Sequence, residues 1–229
     1  GNATKTIGSA GELILSGTAA STFTGGALSN QGKLTHGSGA TDIQTALTNT
    51  GTVTASAGTL KFSGGGSSAG TVSVGTGAKV QVGGTTNFTF DSATLAGAGE
   101  LELTGAKTTL KNTTTTGNTK VNVNGGDLEF DTSTFTSTGT LAVASGNLTS
   151  ANNGAASVGA LDFTGGKIDA KVTAGSAALT GNATKTIGSA GELILSGTAA
   201  STFTGGALTN QGKLTHGSGT TDIQTALTN

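Results

Sequence analysis

The sequence predicts an all-β chain folded as a right-handed parallel β-helix, that is, a β-solenoid. Three observations carry this expectation: a long internal repeat, a finer repeat nested within it, and a composition suited to strands and tight corners. Residues 1–49 recur at 181–229 with two differences, Ser29 against Thr209 and Ala40 against Thr220. The offset of 180 residues divides the chain into one complete unit, 1–180, and the start of a second, 181–229. The expectation is a stretch of a longer tandem array, in which a single unique active site has no place because each unit would carry the same chemistry.

The finer repeat begins at Leu28. "LSNQGKLTHGSGATDIQTA" from Leu28 and "LTNTGTVTASAGTLKFSGG" from Leu47 match at an offset of 19: Leu28 with Leu47, Asn30 with Asn49, Gly32 with Gly51, Leu34 with Val53, Ile43 with Phe62. "GTVSVGTGAKVQV", "GELELTGAKTTL", "TKVNVNGGDLEF", "GTLAVASGNLTS" and "GALDFTGGKIDA" continue the pattern. Each line reads as a short apolar-x-apolar strand, a corner of small residues, a second such strand and a looser return. Strict alternation marks strands with one buried face, and glycine supplies the corner conformations that other residues resist. On this reading the unit holds about eight coils of roughly 19 to 29 residues, advancing roughly 38 Å along the axis at about 4.8 Å per coil.

Taken in order, strand one stacks Leu34, Val53, Val72, Leu101, Val121, Leu141 and Leu161 inward as one ladder. Strand two stacks Leu60, Val80, Leu110, Leu128, Leu148 and Ile168, with Leu13 in its own coil, and Phe62, Phe130 and Phe163 fill the wider parts of the core. Ile7 takes an inward slot that would turn Lys5 inward as well; since burying an ammonium is costly, a local shift is expected there. Two coils carry extensions, "SGTAASTFTGGA" after Leu15 and "GGTTNFTFDSAT" after Val82, whose Phe23, Phe88 and Phe90 are expected to close the core at a corner. Asn30 above Asn49 suggests stacked amides bonded from coil to coil.

Composition narrows the functional classes. Of 229 residues, 41 are glycine, threonine is more numerous still, and proline, cysteine, methionine, tryptophan, tyrosine and arginine are absent. Without cysteine there is no disulfide framework, zinc knuckle or thiol nucleophile. A net charge of −1 offers no electrostatic footprint for nucleic acid, and no apolar run approaches the ~20 residues needed to span a bilayer, so no membrane insertion by this segment is expected. Apolar residues nowhere hold helical spacing over three turns.

No catalytic, cofactor-binding or metal-binding residue is assigned, and an enzyme is not expected. His36 and its copy His216 are the only histidines; spacing places His36 inward, as a neutral, hydrogen-bonded interior or corner residue rather than a base. The carboxylate clusters Glu100/Glu102 and Asp127/Glu129/Asp131 alternate with apolar residues and so face outward. A polysaccharide-active β-helix could use paired carboxylates but would need basic and aromatic residues to line a cleft. Lys111 is expected to pair across coils near Asp127 and Glu129. An ice- or surface-binding solenoid would need sustained ranks of Thr-x-Thr. The outward pairs of strand one, Lys33/Thr35, Thr52/Thr54, Thr71/Ser73, Glu100/Glu102, Lys120/Asn122 and Thr140/Ala142, break such a rank.

The segment "LSGTAASTFTGGALSNQGKL", Leu15 to Leu34 and its copy at 195–214, resembles the passenger-associated repeat of bacterial autotransporter proteins. Leu15, Ser16, Gly17, Thr22, Phe23, Thr24, Gly25, Gly26, Gly32 and Leu34 match that motif in type. Phenylalanine stands for its usual tyrosine, and its asparagine is missing. The surrounding coils resemble filamentous-haemagglutinin-like surface adhesins. The resemblance implies secretion across a Gram-negative envelope and an elongated, cell-surface shaft. The function expected is a structural repeat of a long extracellular fibre or adhesin stalk. Its partners would be neighbouring repeats of the same protein through end-to-end coil stacking, lateral self-association in fibres, and surface glycans. Uncapped strand edges at the two ends of an isolated segment are expected to make it aggregate or stack.

Overall fold

Glycine and alternating β-branched residues leave a helix no continuous apolar face, and in the computed structural model, which describes residues 2–229, every regular element among the described residues is a strand. The strands pair only in parallel and wind into a β-solenoid of about eleven turns.

Each coil visits three ladders in turn. The first begins with Lys5–Ile7, Leu28–Asn30, Leu47–Asn49, Gly66–Ser68, Phe88–Asp91 and Thr108–Lys111. The second begins with Glu12–Leu15, Lys33–His36, Thr52–Ala55, Thr71–Val74, Thr94–Gly97 and Thr114–Thr116. The third begins with Ser21–Phe23, Ala40–Ile43, Thr59–Phe62, Lys79–Val82 and Glu100–Leu103. Beyond Lys120 the corners are extended enough for single long strands, Lys120–Asp131 and Thr134–Ala151, to run from one ladder into the next, with register shifts at the bends.

The first ladder corrects the two-strand reading. The "looser return" is itself a ladder, so the inward columns sort differently. Leu13 pairs with Leu34, and Leu34, Val53 and Val72 continue to Leu95. Leu101, Val121, Leu141 and Leu161 instead extend Leu60 and Val80 on the third ladder. Leu110, Leu128, Leu148 and Ile168 lie on the first ladder. The two "extensions" supply ladder strands, Ser21–Phe23 and Phe88–Asp91, and are no excursions from the stack.

Following one inward column gives the period. From Phe23 the third ladder steps through Ile43, Phe62, Val82, Leu103, Val123, Val143, Phe163 and Leu179 to Phe203, the copy of Phe23. Those are nine coils per 180 residues where the sequence suggests about eight, with 16 residues in the shortest step (163 to 179) and 24 in the longest (179 to 203). The unit therefore advances roughly 43 Å, at about 4.8 Å per coil.

The core is one apolar filament. Phe62, Phe88, Phe90, Phe130, Phe163 and Phe203 are fully buried, with Phe62 stacked on Phe88 at 5.7 Å between ring centroids and Phe88 tilted against Phe90 at 4.9 Å. Corner glycines permit the close approach of coils: a Cβ on Gly51 would fall 2.2 Å from the Gly32 carbonyl oxygen, and one on Gly70 would fall 2.0 Å from that of Gly51. The asparagine stack exists. Asn30 Nδ2 donates to Asn49 Oδ1 at 2.7 Å, and Asn49 Nδ2 donates to Ser68 Oγ at 2.9 Å, all inside the core.

Lys5 does point inward, and the expected local shift does not occur. Its ammonium donates to the Thr24 and Gly25 carbonyls and sits 5.4 Å from the centre of the Phe23 ring. Its copy, Lys185, is wholly buried, with Nζ held by the carbonyls of Gly181 (3.2 Å), Ala183 (3.0 Å) and Gly206 (3.3 Å). Corner carbonyls replace the lost water, which is how the charge is accommodated.

The repeat places identical residues in two environments. Phe203 is fully buried between coils, whereas Phe23, on the first coil, is half-buried. Phe203→Ala is expected to lower stability by about 3–5 kcal/mol, and Phe23→Ala by clearly less. Urea unfolding followed by hydrogen exchange at coils 185–216 checks this, and equal effects at the two positions would contradict the burial difference.

Candidate functional site

The outward faces carry the chemistry, so the geometry of each ladder decides what the surface can do. On the third ladder, parallel register sets Lys79 beside Glu100 and Gln81 beside Glu102. Lys79 Nζ lies 2.9 Å from Glu102 and 3.9 Å from Glu100. Gln81 and Asn124 donate to Glu102 at 2.8 and 3.2 Å, and Asn122 donates to Glu100 at 2.7 Å. Burial pushes the Glu102 carboxyl up, but the bonds from Lys79, Gln81 and Asn124 outweigh it and hold the group below the usual carboxylate range. The hydrogen bond to Glu102 raises Lys79 in turn.

The second cluster is tied in the same way. Lys107 pairs with Glu129 at 3.0 Å, Asn147 Nδ2 donates to Asp127 at 2.8 Å, and Asn152 Nδ2 donates to Asp131 at 2.7 Å. Lys111 lies in register between Asp91 and Asp131 and bonds Asp91 at 3.0 Å. The lysine that reaches Glu129 is therefore Lys107 and not Lys111, because register sets Lys111 opposite Asp131. Each carboxylate in both clusters meets a donor from a neighbouring coil. These are coil-to-coil clamps, individually worth tenths of a kcal/mol where they are exposed. Among the described residues no group of three or more acidic or histidine side chains is arranged to hold a metal ion.

His36 lies inward as its spacing predicts, in a column with Leu15 and Ala55. It is fully buried, and neither ring nitrogen has a hydrogen-bond partner, which departs from the expected bonded histidine. The column it occupies is otherwise apolar and offers no side-chain acceptor. Burial draws its pKa below the usual imidazole range. A sequestered imidazole facing the core cannot serve a substrate outside it.

The second ladder holds the feature that the sequence missed. Its outward positions run Lys33/Thr35, Thr52/Thr54, Thr71/Ser73, Thr94/Ala96 and Thr114/Thr116 in hydrogen-bonded register. Thr134 and Thr136 follow on the next coil, against Thr113–Thr115, with Thr115 Oγ1 donating to the Thr136 carbonyl at 2.8 Å. From Thr52 to Thr136 five successive coils present a two-column array in which only Ala96 lacks a hydroxyl. Columns repeat about every 4.8 Å along the axis and positions i and i+2 lie roughly 6.6 Å apart. The sequence reading broke this rank by placing Glu100/Glu102 on the ladder of Thr71; register puts Thr94/Ala96 there. The usable signal was Thr52, Thr71, Thr94, Thr114 and Thr134, spaced by about one coil each, concealed because "TLAG" and "TTT" are poor apolar strands.

The N-terminal end of the stack is the remaining candidate. Ile7, Leu13, Phe23 and Leu28 line a recess of about 330 Å³ beside Lys5 and Glu12, where the core opens under the first coil. No family model, no curated protein and no solved structure matches this chain.

The buried histidine gives a pH dependence with a definite sign. Its folded pKa lies below the unfolded value of about 6.5, so the unfolded chain takes up the proton first. Stability is full above that value and is lost as pH falls through the folded pKa. Melting curves between pH 7.5 and 5 should show wild type losing stability and His36→Leu losing much less; parallel losses would remove His36 as the cause.

Proposed function

We propose that this chain is a structural segment of a long extracellular fibre or adhesin stalk on a bacterial surface, with no catalytic role. The observation that carries the reading is the return of the third ladder from Phe23 to Phe203 after a whole number of coils. A unit of nine coils adds length without a new core, and a second unit finds the same support as the first. The corner glycines, the continuous apolar filament and the carboxylates used as coil-to-coil clamps all favour a rod over a reaction site. The resemblance of Leu15–Leu34 to the autotransporter passenger repeat supports secretion across a Gram-negative envelope; the partners in this reading are neighbouring repeats, through end-to-end coil stacking, and surface glycans, through the hydroxyl-rich surface.

Covalent arrays of two, three and four units, imaged by electron microscopy, should lengthen by roughly 43 Å per unit. Lengths that do not scale with unit number would end the shaft reading. Antibody raised against 1–180 should label intact cells of the source bacterium, and label seen only after lysis would end the surface assignment.

The threonine array favours a second reading, a solenoid that binds an ordered surface such as ice. Rigid, regularly spaced hydroxyl and methyl groups can hold water in a lattice when the face is flat. Thermal hysteresis should then appear in the 229-residue chain and vanish in Thr114→Lys/Thr134→Lys, whose circular dichroism stays that of wild type. Absence of hysteresis in wild type would dismiss this reading.

A further inference from the structure

The outward face of the second ladder is an uncharged strip framed by charges. Its leading column runs Glu12, Lys33, Thr52, Thr71, Thr94 and Thr114 in register. Past Thr134 on the next coil it continues through Ala155, Lys171, Glu192 and Lys213. The column beside it, two residues on, runs Ile14, Thr35, Thr54, Ser73, Ala96 and Thr116, then Thr136, Ser157, Thr173, Ile194 and Thr215. Six levels without charge, from Thr52/Thr54 to Ala155/Ser157, thus lie between Glu12 and Lys33 at one end and Lys171, Glu192 and Lys213 at the other. Glu192 and Lys213 are the copies of Glu12 and Lys33, so the frame belongs to the repeat and recurs with it.

We propose that this face docks side by side on the same face of a second copy running antiparallel, about a two-fold axis that lies along the strands at the level of Thr114 and Thr116. Such a rotation reverses the order of the levels and keeps each column opposite itself. Glu12 then meets Lys213, Lys33 meets Glu192, and Lys171 meets Thr52, so every charge faces the opposite sign or a hydroxyl. Moving the axis half a level, to lie between Thr94 and Thr114, would set Glu12 on Glu192 and Lys33 on Lys171. A parallel pair, with its axis along the shaft, would face each charged level with itself. Juxtaposed like charges reject these two arrangements, and specificity rests on that rejection as much as on the attraction. The strip is two side chains wide. At about 4.8 Å per level and roughly 12 Å across, nine levels give about 500 Å² on each partner, below the roughly 800 Å² per partner of a stable interface. One unit therefore pairs weakly, and several in series pair firmly. The inference rests on the fibre reading and names the face and direction of its lateral contacts. The two fail separately, since covalent arrays can lengthen with unit number whether or not they pair.

The protein has no cysteine of its own, so single introduced cysteines report which levels meet. The test uses the full 229-residue chain at high concentration and low ionic strength, with a short bis-maleimide linker. Thr116→Cys, at an exposed position, should link to its own copy. Thr54→Cys should not link to itself, whereas an equal mixture of Thr54→Cys and Thr173→Cys should give the mixed dimer, because those levels lie opposite each other. End-to-end stacking of coils brings none of these pairs together and cannot imitate the result. Adding Lys33→Glu to Thr116→Cys should cut the linked product roughly tenfold by setting a carboxylate against Glu192. Lys33→Glu/Glu192→Lys should restore it, with the circular dichroism of wild type throughout. The proposal is overturned if Thr116→Cys stays unlinked, if Thr54→Cys links to itself as readily, or if the double exchange does not restore the link. An unlinked Thr116→Cys protein that is retained on an immobilised neutral polysaccharide would give the face to a glycan and overturn the pairing as well.

Discussion

Parallel backbone pairing in register, coil upon coil, is the constraint from which the rest of this structure follows. Each strand inside the stack has neighbours above and below, and a shift of one residue would turn an entire apolar column to solvent. The register is therefore held by burial on every coil, and it then decides which outward side chains meet. Lys79 with Glu102, Lys107 with Glu129 and Lys111 with Asp91 are consequences of that register. The ion pairs do not hold the rod together; the rod brings the charges close enough to pair.

The corners are the second consequence. Stacking at the interstrand distance leaves no room for side chains where the chain turns inward, so glycine recurs at the same level of successive coils, as at Gly32, Gly51 and Gly70. Where a polar group is caught inside, the same periodicity supplies its partner from the next coil. Asn30 finds Asn49, Asn49 finds Ser68, and Lys185 finds the carbonyls of its own and the following corner. His36 is the exception, since its column continues to Ala55, which has nothing to offer either ring nitrogen.

How far the sequence was legible follows from how each face is marked. Burial columns announce themselves by alternation, so the fold class and the apolar residues that build it were readable, as were the inward place of His36 and the amide stack. The first ladder was not, because its strands are three or four residues long and carry Asn30, Gly66, Ser68 or Thr108 at inward positions, where the amino-acid type says little about burial. Losing one face shifted later strands onto the wrong ladder, and the threonine array vanished with it, although each of its members was plainly visible. The inward turn of Lys5 was legible in the spacing, but what makes it tolerable was not: the carbonyls that hold the ammonium come from the corner of the adjacent coil, a contact between residues about twenty apart in the chain.

A repeat of a whole number of coils adds a property that single-copy proteins lack. Residues 1–49 have twins at 181–229, so the same side chains stand at two levels of one stack. Phe203 is fully buried on Leu179 where Phe23 is half-buried, and backbone bonds from Gly188, Glu192, Ser196 and Thr204 tie the later copy to the coil before it. Specificity between units thus needs no separate interface. It is the internal register of the solenoid continued from one unit into the next.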